Sequence, residues 1–302
     1  MGERPDGVPA GSVQRLADVH ALVLERMPRY QVDRVVQLRE GCDHVAYEVN
    51  GELIVRFSKE TDPARRAGHV DREARLLYAV AGISPLPVPR PIFTVGERGC
   101  LAYFKVPGLP LLDVPQRRRL AHGPSIRARL GEFLTTLQSA PAGRMADLVS
   151  TDVQPLAEWL REAAETHAVV VEEVPAVARR SVAVFLETPP PDEPHTLVFS
   201  HNDLGIEHVL VDPDDLSVTG VIDWSDAALV DPAYDLGLIH RDLGPAALDA
   251  ALSSYRCDAV ALRERAVFYA RCSVFEDLAH GIETGQKRYI DKCLAAMEWL
   301  FP

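Results

Sequence analysis

Three side chains of the sequence have the types and spacing that phosphoryl transfer requires. Asp203 and His208 lie five residues apart in a polar segment, and Asp223 follows an apolar run farther along. Phosphoryl transfer depends mainly on positioning and charge neutralisation, with one carboxylate accepting or orienting the proton of the attacking hydroxyl. We therefore expect Asp203 to be that catalytic carboxylate, and Asp223 and His208 to bind Mg²⁺. Mg²⁺ prefers oxygen ligands, so the imidazole nitrogen of His208 would be an unusual direct ligand. Contact between His208 and the ion through a water molecule is the alternative.

A local hairpin predicts how these side chains meet. Two short apolar runs, Val209–Asp212 and Val218–Ile222, are separated by the turn-rich segment Pro213–Ser217. Such a pattern is typical of two antiparallel strands joined by a loop. The pairing places His208, just before the first strand, opposite Asp223, just after the second. The alternative is a polar turn whose acidic side chains are simply solvated.

A second hairpin is predicted near the N-terminus, around Asn50-Gly51, because Asn-Gly favours a two-residue turn. The expected register pairs Val49 with Glu52, Tyr47 with Ile54, and Val45 with Arg56. Val45 and Arg56 then share one face of the sheet, beside the loop that contains Gly41. This arrangement suits a nucleotide, with phosphates near Gly41 and Arg56 and the base against Val45. A surface arginine on a sheet is the alternative.

A helix beginning at Asp62-Pro63 could supply a partner for this arginine. Its apolar stripe consists of Val70, Ala74, Leu77 and Ala81. Glu73 borders the stripe, and a carboxylate in that place needs a cation because its desolvation is costly. Arg56 is one candidate, and an exposed pair with Arg66 or Arg72 is the alternative.

The order of the predicted elements indicates an α+β protein in two unequal lobes. With 302 residues the chain exceeds one usual hydrophobic core. We expect a flexible tail over residues 1–12 and an N-lobe over 13–105, with a nucleotide-binding sheet and one helix. Residues 106–302 would form a helical C-lobe that holds the catalytic loop and the acceptor site.

Composition excludes several classes of protein. The five cysteines are scattered and form no C-x-x-C pair, which is typical of reduced thiols in the cytoplasm. The sequence shows neither a signal peptide nor an apolar run long enough to span a membrane. The net charge of −12 comes without a basic patch, so no nucleic acid partner is expected. It suits either a cationic small-molecule ligand or mere solubility.

The segment around the two aspartates resembles the aminoglycoside phosphotransferase family. The matching residues are His201-Asn-Asp203-Leu with His208, then Val221-Ile-Asp223-Trp-Ser, then Asp231-Pro-Ala-Tyr-Asp235-Leu-Gly. Most members have Gly and Asn where this chain has Asn202 and His208; the aminoglycoside 2''-phosphotransferases and macrolide phosphotransferases resemble it in having His. The resemblance implies a bilobal protein-kinase-like fold, with a small β-rich N-lobe and a larger helical C-lobe. It also implies that His201 and Asp235 support the catalytic loop.

The same resemblance extends to the nucleotide site. Tyr103-Phe-Lys-Val-Pro-Gly108 is similar to the interlobe hinge, which implies that backbone groups of Tyr103, Phe104 and Val106 bind the base of ATP or GTP. Arg56 stands where the family usually has a phosphate-binding lysine, and with Glu73 it would position the phosphates. Arginine offers a two-pronged donor in place of a point charge, so the two residues are not equivalent.

The acceptor is expected to be a small molecule. The stretch from Asp223 to Asp231 is too short for the activation segment with which protein kinases dock peptides, so no protein substrate is expected. Glu276 and Asp277, with His280 and Glu283 at near-helical spacing, predict an acidic edge that could bind ammonium groups, and Asp226 is a further candidate. A solvated helix face is the alternative.

Four functions remain open on the sequence. The leading hypothesis is a kinase that transfers the γ-phosphate of a nucleoside triphosphate to a hydroxyl of an antibiotic, foremost an aminoglycoside. A macrolide kinase is the second, favoured by Arg56 and His208. A catalytically silent nucleotide-binding module and a kinase for a metabolite alcohol are the others.

Overall fold

The chain folds into two compact units. The computed structural model describes residues 10–40, 44–194, 196–253, 255 and 259–302. The first unit, here the N-unit, contains the described residues up to Ala81 together with Pro89–Lys105. The second, here the C-unit, contains Gly82–Val88 and Val106–Pro302. The N-unit is built around a sheet and the larger C-unit is mostly helical, so the predicted α+β class is confirmed.

The N-unit consists of one antiparallel sheet and two long helices. Its strands are arranged in the order β1-β2-β3-β5-β4. The elements are α1 (Ala10–Arg26), β1 (Val35–Glu40), β2 (His44–Val49), β3 (Leu53–Ser58), α2 (Pro63–Ala81), β4 (Pro91–Val95) and β5 (Cys100–Phe104).

Helix α1 packs on one face of this sheet, and the expectation of a single N-lobe helix was wrong. It begins at Ala10, within the range expected to be a tail, and residues 1–9 lie outside the described residues. Val19, Leu22 and Val23 recur at helical spacing and are buried against the sheet. Their sheet partners include Tyr47 and Val55.

The β2–β3 register differs by one residue from the prediction. Val49 pairs with Leu53, so the loop has three residues, Asn50 to Glu52, and Ala46 faces Arg56. The reason is that the Asn50 side chain accepts hydrogen bonds from the backbone N–H groups of Asp33 and Arg34, at 2.9 and 3.0 Å. The turn is therefore held by distant residues as well as by its own φ preferences.

This register moves Val45 away from Arg56. Strand side chains alternate between faces, so Val45 lies on the α1 face and belongs to its hydrophobic core. The expectation that Val45 shares a face with Arg56 was wrong. Ala46 and Ile54 take that place instead, one opposite Arg56 and the other two residues before it on the same strand.

Helix α2 starts where the sequence predicts. The carboxylate of Asp62 accepts a hydrogen bond from the backbone N–H of Arg65 at 2.8 Å, and Pro63 is the first helical residue. The buried side chains of this helix are Val70, Ala74, Leu76, Leu77 and Val80.

The C-unit is a helical body with small sheets. Three strands pair in the order β6-β8-β9, and β10 pairs with β7. The strands are β6 (Leu109–Pro110), β7 (Val198–Ser200), β8 (Val209–Val211), β9 (Val218–Val221) and β10 (Ala228–Val230). The helices are α3 (Gln116–Ala121), α4 (Gly123–Gln138), α5 (Ala142–Met145), α6 (Leu156–Val170), α7 (Arg179–Glu187), α8 (Ala233–Leu243), α9 (Pro245–Leu252), α10 (Ala259–Glu283) and α11 (Lys287–Leu300).

Helices α8 and α10 pack closely against each other in the C-unit. Gly237 permits it, because a Cβ there would lie 2.7 Å from the Ala266 carbonyl oxygen and 3.0 Å from the Tyr269 Cβ. Every described residue of α8 except Tyr234 is buried. Within the described part of the chain, no helix combines the length and the apolar character needed to cross a membrane.

Candidate active site

Asp235 holds the segment that carries Asp203 through hydrogen bonds to its carboxylate. Residues 201–208, here loop 201–208, connect β7 to β8. Asp235 lies in the first turn of α8 and has no solvent exposure. Its carboxylate accepts three hydrogen bonds, from the Ser200 hydroxyl at 2.5 Å and from the backbone N–H groups of Asn202 and Leu204 at 2.9 and 3.0 Å. Asp235 thus holds the backbone on both sides of Asp203.

The backbone of Asn202 explains the residue type found there. Its φ is +63°, in the left-handed region that favours glycine. Asparagine tolerates this conformation better than other side chains. Its side-chain amide also donates a hydrogen bond to the Asp152 carboxylate at 3.0 Å. An asparagine therefore suits this turn in both backbone conformation and side-chain contact.

His201 is a buried support of the loop. Its Nε2 lies 3.0 Å from the carbonyl oxygen of Ile222, and because a carbonyl only accepts, Nε2 carries the proton. The ring has no solvent exposure and packs on Trp224, with centroids 4.7 Å apart. Burial lowers the pKa of His201. A neutral, enclosed imidazole is suited to linking loop 201–208 to the end of β9.

The β8–β9 hairpin has the predicted effect on His208 and Asp223. Val209 pairs with Val221, and the N–H of Ile222 donates to the carbonyl oxygen of His208 at 3.0 Å. As a result, His208 Nε2 lies 3.8 Å from Asp223 Oδ2. The turn between the strands therefore brings an imidazole next to a carboxylate fifteen positions away in sequence.

His208 also orients Asp203. Its Nδ1 is 2.8 Å from the Asp203 carbonyl oxygen and 3.3 Å from Asp203 Oδ2. The carbonyl can only accept, so Nδ1 donates, and Nε2 is directed toward Asp223. Asp203, His208 and Asp223 thus form one chain of polar contacts.

The charges in this cluster influence one another. Burial raises the pKa of Asp203 to about 7, with Glu207 and Asp226 adding to the effect and His208 opposing it. Burial lowers the pKa of His208, but the neighbouring carboxylates, foremost Asp203, outweigh it and raise that pKa. A carboxylate whose pKa lies near neutrality is suited to take up a proton from a hydroxyl.

The residues at the hairpin end fit a magnesium ion that is completed by phosphate and water. Among the described residues there is no group of three or more His, Cys, Asp or Glu side chains placed to hold a metal. Mg²⁺, however, is usually held by one or two carboxylates together with substrate phosphates and water. Asp223 offers one carboxylate, oriented by a hydrogen bond from the Ser225 hydroxyl at 2.9 Å. His208 Nε2 lies next to this carboxylate and is the second possible ligand, although a nitrogen ligand is unusual for Mg²⁺.

In the N-unit, Arg56 and Glu73 form the ion pair that the sequence suggested. Arg56 Nη1 lies 3.1 Å from Glu73 Oε1, and each side chain is less than a fifth exposed. Arg56 Nη2 lies 3.1 Å from His44 Nδ1. Since arginine only donates, His44 accepts at Nδ1 and directs Nε2 toward Glu73, at 3.8 Å.

His44 was missed as a member of this group. In the true register His44, Ala46 and Glu48 alternate on the face of Arg56, so a correct register would have revealed it. Gly41, expected to contact phosphates, lies outside the described residues. Three other predicted residues follow at the end of the sheet: Tyr103 and Phe104 close β5, opposite Ile54 and Leu53, and Val106 is buried as the chain enters the C-unit.

Asp277, predicted to bind the acceptor, forms ion pairs with two cations of the protein itself. Asp277 Oδ2 lies 2.7 Å from Lys292 Nζ and 3.0 Å from Arg241 Nη2, both on neighbouring helices. The expectation that Asp277 would face a cationic ligand is therefore wrong, because α10 turns it toward these two buried cations. Asp226 and Glu276 are exposed on the C-unit, as an acceptor site would require.

A group of acids and rings beside loop 201–208 was not foreseen. Trp159, Tyr234 and Tyr269 pack with centroids 5.3 to 5.6 Å apart. Next to them a cavity of about 20 Å³, room for roughly one water, is lined by residues that include Asp152, Glu193, Asn202 and Asp231. The three acids are far apart in sequence and show no local pattern, so only tertiary structure reveals the group.

Comparisons with known proteins give the family and the fold of this chain. The model of the phosphotransferase enzyme family matches residues 34–269. Viomycin phosphotransferase from Streptomyces vinaceus is 25% identical over 263 residues, which cover 79% of this chain and 84% of that protein. The GDP and kanamycin complex of APH(2")-IIia has a TM-score of 0.66 at 20% identity, covering 93% of this chain and 97% of that one. Macrolide 2'-phosphotransferase MphH from Brachybacterium faecium has a TM-score of 0.59 at 23% identity, covering 93% and 98%. The solved structures confirm the predicted fold.

Proposed function

Because this chain belongs to the phosphotransferase enzyme family, we propose that it transfers the γ-phosphate of ATP or GTP to a hydroxyl of a cationic antibiotic, foremost an aminoglycoside. The observation that carries the proposal is the polar chain Asp203–His208–Asp223. It unites a base for the hydroxyl with a carboxylate for a metal. These are the parts that phosphoryl transfer needs.

Asp203 is the residue that receives the proton of the acceptor hydroxyl. The Nδ1–H of His208 donates to the Asp203 carbonyl oxygen and lies 3.3 Å from its carboxylate, and Asp235 fixes the backbone on both sides of Asp203. A pKa near neutrality allows the carboxylate both to accept the proton and to release it.

Asp223 and His208 are the residues that would hold Mg²⁺. When bound, this ion neutralises the charge of the terminal phosphates and keeps them in line with the acceptor. The hairpin keeps the two donors together, and Ser225 keeps the Asp223 carboxylate in place.

Arg56 is the proposed phosphate-binding cation of the N-unit. Glu73 and His44 hold its guanidinium from two sides, which limits its conformations before a nucleotide binds. The strand face around it, with Ile54 beside Tyr103 on the next strand, offers apolar surface to a base. Backbone groups of Tyr103, Phe104 and Val106 would supply the nucleotide base with hydrogen bonds.

The acceptor is proposed to be cationic because the exposed acids Asp226 and Glu276 lie on the same unit as the catalytic carboxylate. Burial raises the pKa of Asp203, and the charges of Glu207 and Asp226 add to this effect while those of His208 and Arg241 oppose it. Desolvation raises the pKa of the Tyr234 hydroxyl, and the charges of Asp203 and Glu276 raise it further. An ammonium group that enters this field gains Coulomb energy, whereas an anionic acceptor is repelled.

The proposal is tested by coupled release of nucleoside diphosphate. ATP and GTP are each offered with kanamycin, gentamicin, viomycin and a macrolide. Turnover of an aminoglycoside with transfer of phosphate to the drug supports the proposal. Turnover of the macrolide alone would instead favour a macrolide kinase. Stabilisation by nucleotide without transfer to any acceptor would contradict catalysis and indicate a silent binding module.

A further inference from the structure

Lys292 carries a charge in the interior of the C-unit. It lies on α11 and is only 3% exposed. A buried ammonium group is costly unless it is paired and hydrogen-bonded. Lys292 Nζ lies 2.7 Å from Asp277 Oδ2, 3.0 Å from Glu207 Oε2 and 3.5 Å from Asp242 Oδ2.

A second buried cation closes this cluster. Arg241 donates to Asp242 at 2.8 Å and lies 3.0 Å from Asp277, so two cations share three carboxylates. Burial lowers the pKa of Lys292, but the carboxylates outweigh it and raise that pKa, so the ammonium stays charged. We call Glu207, Arg241, Asp242, Asp277 and Lys292 the charge cluster.

The charge cluster reaches loop 201–208 directly. Glu207 belongs to the loop and immediately precedes His208. The backbone N–H of Ile206 donates to Asp242 Oδ2 at 3.1 Å. Lys292 therefore contacts the loop through its ion pair with Glu207. It also contacts Asp242, which accepts the hydrogen bond from the N–H of Ile206 in the same loop. Asp235 secures the first half of the loop, and the charge cluster secures the second.

We propose that Lys292 is a positioning residue for phosphoryl transfer, and this rests on the proposed function. It touches neither substrate nor metal. By holding Glu207 it keeps the peptide before His208 in place, and His208 in turn donates to the Asp203 carbonyl oxygen and lies 3.3 Å from the Asp203 carboxylate. The last helix of the chain thus sets the geometry of the catalytic base.

The test compares Lys292→Met, the double variant Glu207→Gln with Lys292→Met, and the control Lys287→Met. Lys292→Met leaves an uncompensated carboxylate and lowers both stability and kcat. The double variant removes one charge of each sign, so stability recovers, but the grip on the loop stays lost. We expect kcat to remain about 10- to 100-fold low, as for lost outer partners of active-site groups. The KM for nucleotide should change little in either variant.

The control lies on the same helix, where the Lys287 side chain is 82% exposed and pairs with Asp291 one turn along α11. Lys287→Met should match the wild type in kcat and stability. Recovery of kcat together with stability in the double variant would overturn the proposal, because it would show a purely structural role.

Hydrogen exchange gives a second readout that needs neither acceptor nor metal. Amides of residues 206–208 should exchange faster in the double variant than in the wild type, while those of Asn202 and Leu204, held by Asp235, and those of α6 keep their rates. Unchanged exchange in the loop would overturn the positioning role even if the wild type is active. A wild type that phosphorylates no acceptor would refute the proposed function alone, since the exchange comparison still decides whether Lys292 holds the loop.

Discussion

Replacing Asp235 by Asn should weaken the C-unit strongly although the shape of the side chain is retained. One carboxylate oxygen, Oδ1, accepts from the N–H of Leu204, and the other accepts from Ser200 and from the N–H of Asn202. In either orientation, an asparagine amide turns its NH₂ group toward at least one of these backbone N–H groups. One charge-assisted hydrogen bond is therefore lost and one donor is left without a partner.

The size of the effect follows from these contacts. A hydrogen bond to a charged group contributes about 1.5 to 3 kcal/mol, and an unsatisfied buried donor costs about 1 to 3 kcal/mol. Removing a buried charge gives back part of its desolvation cost. We expect the free energy of unfolding to fall by about 2 to 4 kcal/mol, and kcat to fall with it because the loop loses its support.

Urea unfolding followed by tryptophan fluorescence measures this change. The three tryptophans, Trp159, Trp224 and Trp299, all lie in the C-unit, so the signal reports on that unit. The matched control is Asp249→Asn, which removes a pair with Arg263 whose side chains are 59% and 44% exposed. The control should change stability by less than about 1 kcal/mol. A loss for Asp235→Asn no larger than for the control would refute the reasoning.

Three further results are expected. Arg56→Lys should retain more nucleotide affinity than Arg56→Ala in calorimetry, because a lysine keeps the charge but not the fork between Glu73 and His44; equal affinity in all three proteins would remove the phosphate role. Burial lowers the pKa of His240 from its ordinary value of 6.5 to about 4, so the unfolded chain binds a proton first and stability falls as the pH drops between these values. The free energy of unfolding should fall by about 3 kcal/mol over this pH range, and by less in His240→Gln. Identical pH profiles of stability for the two proteins would contradict this expectation. Gly237→Ala should lower the melting temperature of the C-unit, with a cost of about 1 to 3 kcal/mol, because the new methyl group would meet the backbone of α10; an unchanged melting temperature would show that the helices can separate freely.

Where a feature depends on neighbouring residues, the sequence predicted it. The β8–β9 hairpin is fixed by its own turn, and the contact between His208 and Asp223 follows from the pairing alone. Helix α2 begins at Asp62-Pro63 because the cap lies within the same four residues. The pair of Arg56 and Glu73 could also be proposed, since an inward carboxylate on a helix needs a cation.

Where distant residues decide, local sequence patterns could not predict the outcome. The Asn50 turn gained a residue because its side chain binds the backbone before β1, which moved Val45 to the other face. Asp277 looked like part of an acidic edge because Lys292 and Arg241 reach it only in the folded chain. The charge cluster itself has no sequence signature.

The most direct measurement compares the wild type with Asp203→Asn in phosphate transfer from labelled nucleotide to the best acceptor of the panel, with nucleotide affinity measured alongside. Asparagine keeps the shape of the side chain but cannot take up the proton. We predict that transfer by the variant is lost, while its nucleotide affinity stays that of the wild type. Transfer at the wild-type rate by Asp203→Asn would contradict the account, because the base would then lie elsewhere.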